Sequence, residues 1–381
     1  MTTSCDGNDD DNDNDKEVFP MPLMNPQSLP WRPFMSAAAF TLTLGAGLAA
    51  TPGAVAAAET LTYATNTAPN GLRGAAEKGF LDALSEVSNG EIEVVPYWGA
   101  SVMQGDEILG GVSNGVADMG YININYYPNQ LLLNGAFQLF PAGPENYADI
   151  MSVYHAVYDQ VPELSEEFAK QDQHIIYIYP YLPYAGVFRE PVTSFDDFQG
   201  KRVRASSQWM LNLLGDLGAT PVSVPWSDTY QSLQSGAIDG VFTNYDSLNR
   251  TGMDEVAPNI LTSRRLWLAV PMILTVNQRK WDAMSTEMQG WFEQAAAQAE
   301  KTFGKYYANE FDRIVKVQEA AGYTVTAASA DDIDKFVSLP AVETNRQTWI
   351  QSAEDAGAED PARIIEKMKK IIDDGSAAGD S

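Results

Sequence analysis

One short pattern occurs twice in this chain and constrains its fold more than any other feature. Val112-Ser113-Asn114-Gly115-Val116-Ala117-Asp118-Met119-Gly120 is echoed by Leu233-Gln234-Ser235-Gly236-Ala237-Ile238-Asp239-Gly240. In each copy a helical stretch stops at a glycine, a small apolar pair follows, and an aspartate with a nearby glycine opens a strand. Glycine ends a helix in the left-handed conformation without a Cβ penalty and turns the chain into a buried strand. Each copy therefore marks a helix-to-strand corner of an α/β unit.

The flanking sequence supports two such units. Leu61–Thr65 and Glu91–Trp98 read as strands, and the second alternates. Arg73–Ser88 has helical spacing, with Phe80, Leu81, Leu84 and Val87 on one side and Asn89-Gly90 as its stop. Asp106–Ser113 reads as a helix leading into a strand by Ile122. A second alternation begins near Ile175 and is clear from Lys201. The expectation is an α/β chain of two lobes with a small-molecule cleft between them.

From Asn277 to about Ala321 the sequence reads as helical, with an apolar stripe through Trp281, Met284, Met288, Trp291, Phe292, Ala295 and Ala299. A helix of that length crosses from one lobe to the other. Tyr323–Val325 reads as a late strand, and Asp331–Ala356 and Ala362–Ile372 as terminal helices; the tail after Asp373 reads as frayed. These assignments divide the chain into an extension with a secretory segment (1–58), lobe I (59–183, with a return near 275–300), lobe II (184–274, with part of 300–330) and C-terminal helices (331–381).

Residues 1–58 carry an acidic, asparagine-rich tract, Arg32, an apolar run from Phe34 to Ala50, and A-x-A cleavage options ending at Ala56 or Ala58. That order predicts a signal peptide and a secreted protein. Cys5 is the only cysteine and lies upstream of the cleavage site, so the mature chain would have no disulfide. A net charge of −27 argues against nucleic acid as a partner and for a soluble monomer. Enzymatic chemistry finds little support. His155 and His174 are the only histidines and have no partner at metal-ligand spacing. No nucleophile elbow, phosphate loop or dinucleotide fingerprint is present, so neither a metal nor a cofactor is expected.

The densest motif runs from Ser194-Phe195-Asp196-Asp197-Phe198-Gln199-Gly200-Lys201-Arg202-Val203-Arg204 through Leu217-Gly218-Ala219-Thr220-Pro221-Val222 to the second echo. It resembles the core signature of the periplasmic solute-binding subunits of TRAP transporters (tripartite, ATP-independent), of the dicarboxylate-binding-protein type. The resemblance covers nearly the whole mature chain and is strongest from Pro191 to Ser247. It implies capture of a small organic acid, delivery to an ion-driven membrane permease, a long helix spanning both lobes, and a carboxylate paired with Arg204. A planar, permanently charged guanidinium suits that role. The competing reading of Arg204 is a surface ion pair with Asp196 or Asp197.

Other candidates surround that anchor. The resemblance implies a solute contact from a polar or aromatic residue among Thr243, Asn244 and Tyr245, and the register leaves open which one. Trp209 and Tyr121, then Trp98 and Trp226, are candidate aromatic walls, each also eligible for core packing. Tyr126 and Trp267 lie near predicted strand ends. Asn66 and Asn123 fall in loops at the predicted rim. Arg189 is a candidate second cation. The family's additional arginine has no counterpart in Tyr184–Phe188, which leaves mono- and dicarboxylates both open. Two alternatives remain: a binding module of a sensor or ATP-driven transporter, and a secreted hydrolase.

Overall fold

The structure is a computed structural model that describes residues 58–266 and 270–379. The proposed extension and signal peptide, apart from Ala58, and Trp267 lie outside the described residues.

Two sheets form the framework. The first contains β1 (Glu59–Ala64), β2 (Ile92–Tyr97), β3 (Met119–Ile122), β4 (Gln173–Tyr179) and β10 (Met272–Asn277), ordered β2-β1-β3-β10-β4. β1 runs parallel to both neighbours, and β10 returns antiparallel between β3 and β4. The second contains β5 (Tyr184–Phe188), β6 (Arg202–Arg204), β7 (Thr220–Val222), β8 (Gly240–Asn244), β9 (Asn259–Thr262) and β11 (Thr324–Ala327), ordered β11-β9-β5-β8-β6-β7. Every residue of β5, β8 and β10 is buried, as expected for central strands covered on both faces.

The sequence echo has one structural job in both sheets. Gly115 and Gly236 take φ of +75° and +76° and end their helices. The aspartate that follows clips the chain to a neighbouring strand. Asp118 accepts from the backbone N–H and hydroxyl of Thr62 on β1, each at 2.8 Å. Asp239 accepts from the backbone N–H of Arg202 on β6 at 2.8 Å and from its guanidinium at 2.6 and 2.9 Å.

The stretch read as one helix from Asn277 is interrupted. β10 includes Asn277, a short helix spans Gln278–Ala283, and Met284 is extended. Ser285 then caps the long helix Thr286–Ala320, its side chain accepting from the Met288 N–H. Its 35 residues extend about 52 Å. It begins against the first sheet's helical layer, with Phe292 beside Phe80 and Trp281, and Phe303 edge-on to Tyr179. Its far end serves the second sheet: Phe311 packs on Tyr245, and Gln318 donates to Asp254 at 2.7 Å.

The first predicted C-terminal helix is also two, Ala330–Val337 and Pro340–Asp355, because Pro340 starts a new helix rather than continuing one. The last helix, Pro361–Gly379, runs through the tail read as frayed. Helix Pro340–Asp355 ties the two halves together. Asn345 donates to the Trp209 carbonyl at 2.9 Å, and Trp349 donates to the Leu132 carbonyl at 2.9 Å.

Gly304 marks the closest approach along the long helix. A Cβ there would lie 2.7 Å from the Tyr147 ring. That ring is held by its hydroxyl on the Glu300 carbonyl and by packing against Phe303 and Tyr307. Gly304→Ala gains about 1 kcal/mol of helix propensity but overpacks this contact at a cost of about 1–3 kcal/mol. The expected net result in urea denaturation is destabilisation of about 1 kcal/mol.

Candidate ligand-binding site

The carboxyl ends of three strands converge on one cavity of about 200 Å³. Asn123 follows β3, Arg204 ends β6, and Thr243 and Asn244 end β8; Trp226, at the start of helix Trp226–Ser235, forms another wall. Strands β3, β6 and β8 all expose their carboxyl ends here, the edge where open α/β sheets place their ligands.

Arg204 is the dominant group. It is 5% exposed. Its Nε donates to the Val224 carbonyl at 3.1 Å, and its guanidinium carbon stands 5.3 Å from the Trp226 ring centroid. No carboxylate of the described residues comes within ion-pair distance of it. Asp196 pairs with Lys335, and Asp197 is occupied by the Thr193 and Ser194 backbone N–H groups. Burial holds the Arg204 pKa below its ordinary value. Arg202, two residues earlier on the same strand, is committed to Asp239.

Sequence reasoning missed two further arginines that line the cavity, Arg73 and Arg250. Arg73 reaches across from helix Gly71–Val87. It donates to the Ser247 hydroxyl at 2.5 Å, lies 3.4 Å from Asp246 and stacks 4.3 Å over the Tyr181 ring. Asp246 is 6% exposed. Burial raises its pKa, with Arg73 and Arg250 opposing that rise. Arg250 sits at the exposed mouth, one turn after Asp246 on helix Tyr245–Arg250, its stem beside Gly71. The i, i+4 spacing of Asp246 and Arg250 was a readable signal; the approach of Arg73 from 174 positions away was not. Tyr181, Tyr184, Ser206, Ser247, Asn125 and Tyr126 complete the lining.

The remaining candidates lie elsewhere. Asn66 touches the rim only through the Tyr126 hydroxyl, at 3.5 Å. Tyr121 is buried behind the cavity wall, its hydroxyl 3.2 Å from that of Tyr181. Tyr245 turns away from Asn244 and donates to Gln318 at 2.5 Å. Trp98 packs edge-on to Tyr63 and lines a separate surface hollow with Lys78 and Val94. Arg189 is exposed and covers Gly236. Trp209 lines a neighbouring cavity.

A family model described as bacterial extracellular solute-binding protein, family 7, matches residues 63–347. The chain belongs to this family. The ectoine-binding periplasmic protein TeaA of Halomonas elongata is 26% identical over 225 residues, 58% of this chain and 64% of TeaA. The ectoine/5-hydroxyectoine-binding periplasmic protein UehA of Ruegeria pomeroyi is 24% identical over 342 residues, 87% of this chain and 97% of UehA. The match to the C4-dicarboxylate-binding periplasmic protein DctP of Rhodobacter capsulatus, 28% identical, spans 35% of this chain and only 40% of that protein. Among solved structures, the periplasmic ectoine-binding protein of Halomonas elongata superposes with a TM-score of 0.72 at 19% identity, covering 83% of this chain and 99% of that one. A marine metagenome TRAP solute-binding protein specific for aromatic acid ligands, in complex with 3-hydroxybenzoate, gives 0.70 at 22%, covering 84% and 99%. These neighbours share the two-lobe α/β fold.

Arg204 is a buried cation without a protein carboxylate, so the folded state bears a desolvation cost for it. Arg204→Met keeps the unbranched apolar stem and removes the charge. The ligand-free variant is expected to match the wild type or gain about 1 kcal/mol in urea denaturation. A loss above about 2 kcal/mol would mark Arg204 as a structural residue instead.

Proposed function

We propose that this protein is a periplasmic receptor that captures a small organic acid and hands it to an ion-driven TRAP permease in the membrane. Arg204 anchors the acid's carboxylate, and this uncompensated, buried guanidinium is the observation that carries the reading. Asn123, Thr243 and Asn244 supply neutral hydrogen-bonding groups around the anchor, and amides both donate and accept. Trp226 and Tyr126 supply aromatic surface. Arg73 and Arg250 add positive potential at the back and mouth of the cavity in a chain whose net charge is −27. That contrast favours an anionic solute over a neutral one.

The mechanism is capture by closure. The acid enters between the lobes, its carboxylate replaces the water around Arg204, and the lobes close about the connecting segments. The closed form differs in shape from the open one, which gives a membrane permease something to recognise. The reading includes no catalytic step and no cofactor, and takes the protein as a monomer in the periplasm.

A thermal-shift screen of purified residues 59–381 against mono- and dicarboxylates tests this. Acid at about 100 times its Kd is expected to stabilise the protein by about 2.7 kcal/mol. Arg204→Ala is expected to cost about 2–5 kcal/mol of binding, enough to erase the shift. A shift that persists in the variant places the carboxylate elsewhere, and a wild type that responds to no acid removes the reading.

A further inference from the structure

A second cavity, of about 550 Å³, adjoins the anchor cavity, and the two share Asn125 and Ser206. Their linings differ in kind. The anchor cavity has three arginines, whereas no residue lining the larger one carries a formal charge. Its walls are Ile124, Leu131 and Leu132 from the segments after β3, and Trp209 and Trp349 from the helical side. Gln138 is 5% exposed and adds a neutral polar group. Trp209 is brought there by the turn that follows Arg204 and opens helix Gln208–Asp216. The residue expected to form an aromatic wall beside the anchor therefore stands one chamber further on.

We infer that this neutral chamber receives the uncharged tail of the solute held at Arg204. The protein then selects extended aryl- or alkyl-bearing monocarboxylates over acids of two to four carbons. This rests on the capture reading above and adds the size and polarity of the solute. The anchor cavity alone is smaller than the range of about 300–1,000 Å³ that holds larger organic ligands, and the pair together falls within it. A second charge on the tail would enter a space with no counter-ion, which is costly in a low-dielectric interior. An aryl or alkyl tail meets indole and leucine surface, where each buried methylene strengthens binding several-fold.

Gly135 provides a plug. It lines the chamber, it is buried, and a Cβ on it would meet nothing within 4 Å. Ser352 faces the chamber from helix Pro340–Asp355. Gly135→Leu and Ser352→Phe thus fill the space from two separate elements, and circular dichroism checks that each folds. Isothermal titration calorimetry would compare acetate, propionate and butyrate with phenylacetate, 3-phenylpropionate and octanoate.

Wild-type protein is expected to bind at least one extended acid about ten-fold or more tighter than any short one. Each plug is expected to remove that advantage while leaving short-acid affinity within about two-fold. Short acids binding as tightly as extended ones overturns the inference and leaves the capture reading intact. Plugs that weaken short and extended acids alike, or that weaken neither, also overturn it. Wild-type protein that binds none of these six acids overturns the inference, and the screen against mono- and dicarboxylates then decides the capture reading separately.

Discussion

The burial of Arg204 is the constraint around which the rest of the site is arranged. β6 is only three residues long, yet it lies between β7 and β8 with both neighbours parallel. Asp239 holds both the backbone and the guanidinium of Arg202, which fixes the register at the start of the strand. With that register fixed, Arg204 emerges at the carboxyl edge, where the Val224 carbonyl and the Trp226 ring orient it without neutralising it. A guanidinium so placed is a standing electrostatic demand, since an anion gains most where water has already been excluded.

The two halves of the molecule meet around that demand. The long helix packs on the first sheet's layer at Phe292 and Phe303 and reaches the second at Phe311 and Gln318, while Tyr307 donates to the Tyr181 carbonyl between them. Arg73 crosses the same boundary to Ser247 and Asp246. Because Asp246 sits beside Arg73, that guanidinium is partly satisfied within the protein, whereas Arg204 is not. The charge arrangement thus separates an arginine that joins the halves from one with no carboxylate partner among the described residues.

Much of this was legible in the sequence because it is local. The repeated glycine corner announced both strand entries, and Asp118 and Asp239 turned out to clip neighbouring strands in the same way. Strand ends are equally local, so Arg204, Asn123, Trp226, Thr243 and Asn244 could be gathered from them. What escaped depends on approach through space or on a single step of register. Tyr245 follows Asn244 directly, but there the chain enters a helix that turns the phenol toward Gln318. Tyr121 sits near the right strand end but behind the cavity wall, and Arg189 follows β5, whose antiparallel course beside β8 leaves it at the opposite edge of the sheet. Arg73 joins the cavity from a distant helix that no short pattern links to Ser247. The break at Met284 was hidden because the apolar stripe continues through it, although Ser285 as an N-cap residue, with Glu287 in the first turn, was a helix-start signal.

A crystal structure of the protein with a bound acid found by the calorimetric series would measure the central interaction directly. The account predicts the acid's carboxylate seated on the Arg204 guanidinium through charge-assisted hydrogen bonds of about 2.7–2.9 Å. A carboxylate lodged elsewhere in the molecule, with Arg204 still bonded only to Val224, would contradict it.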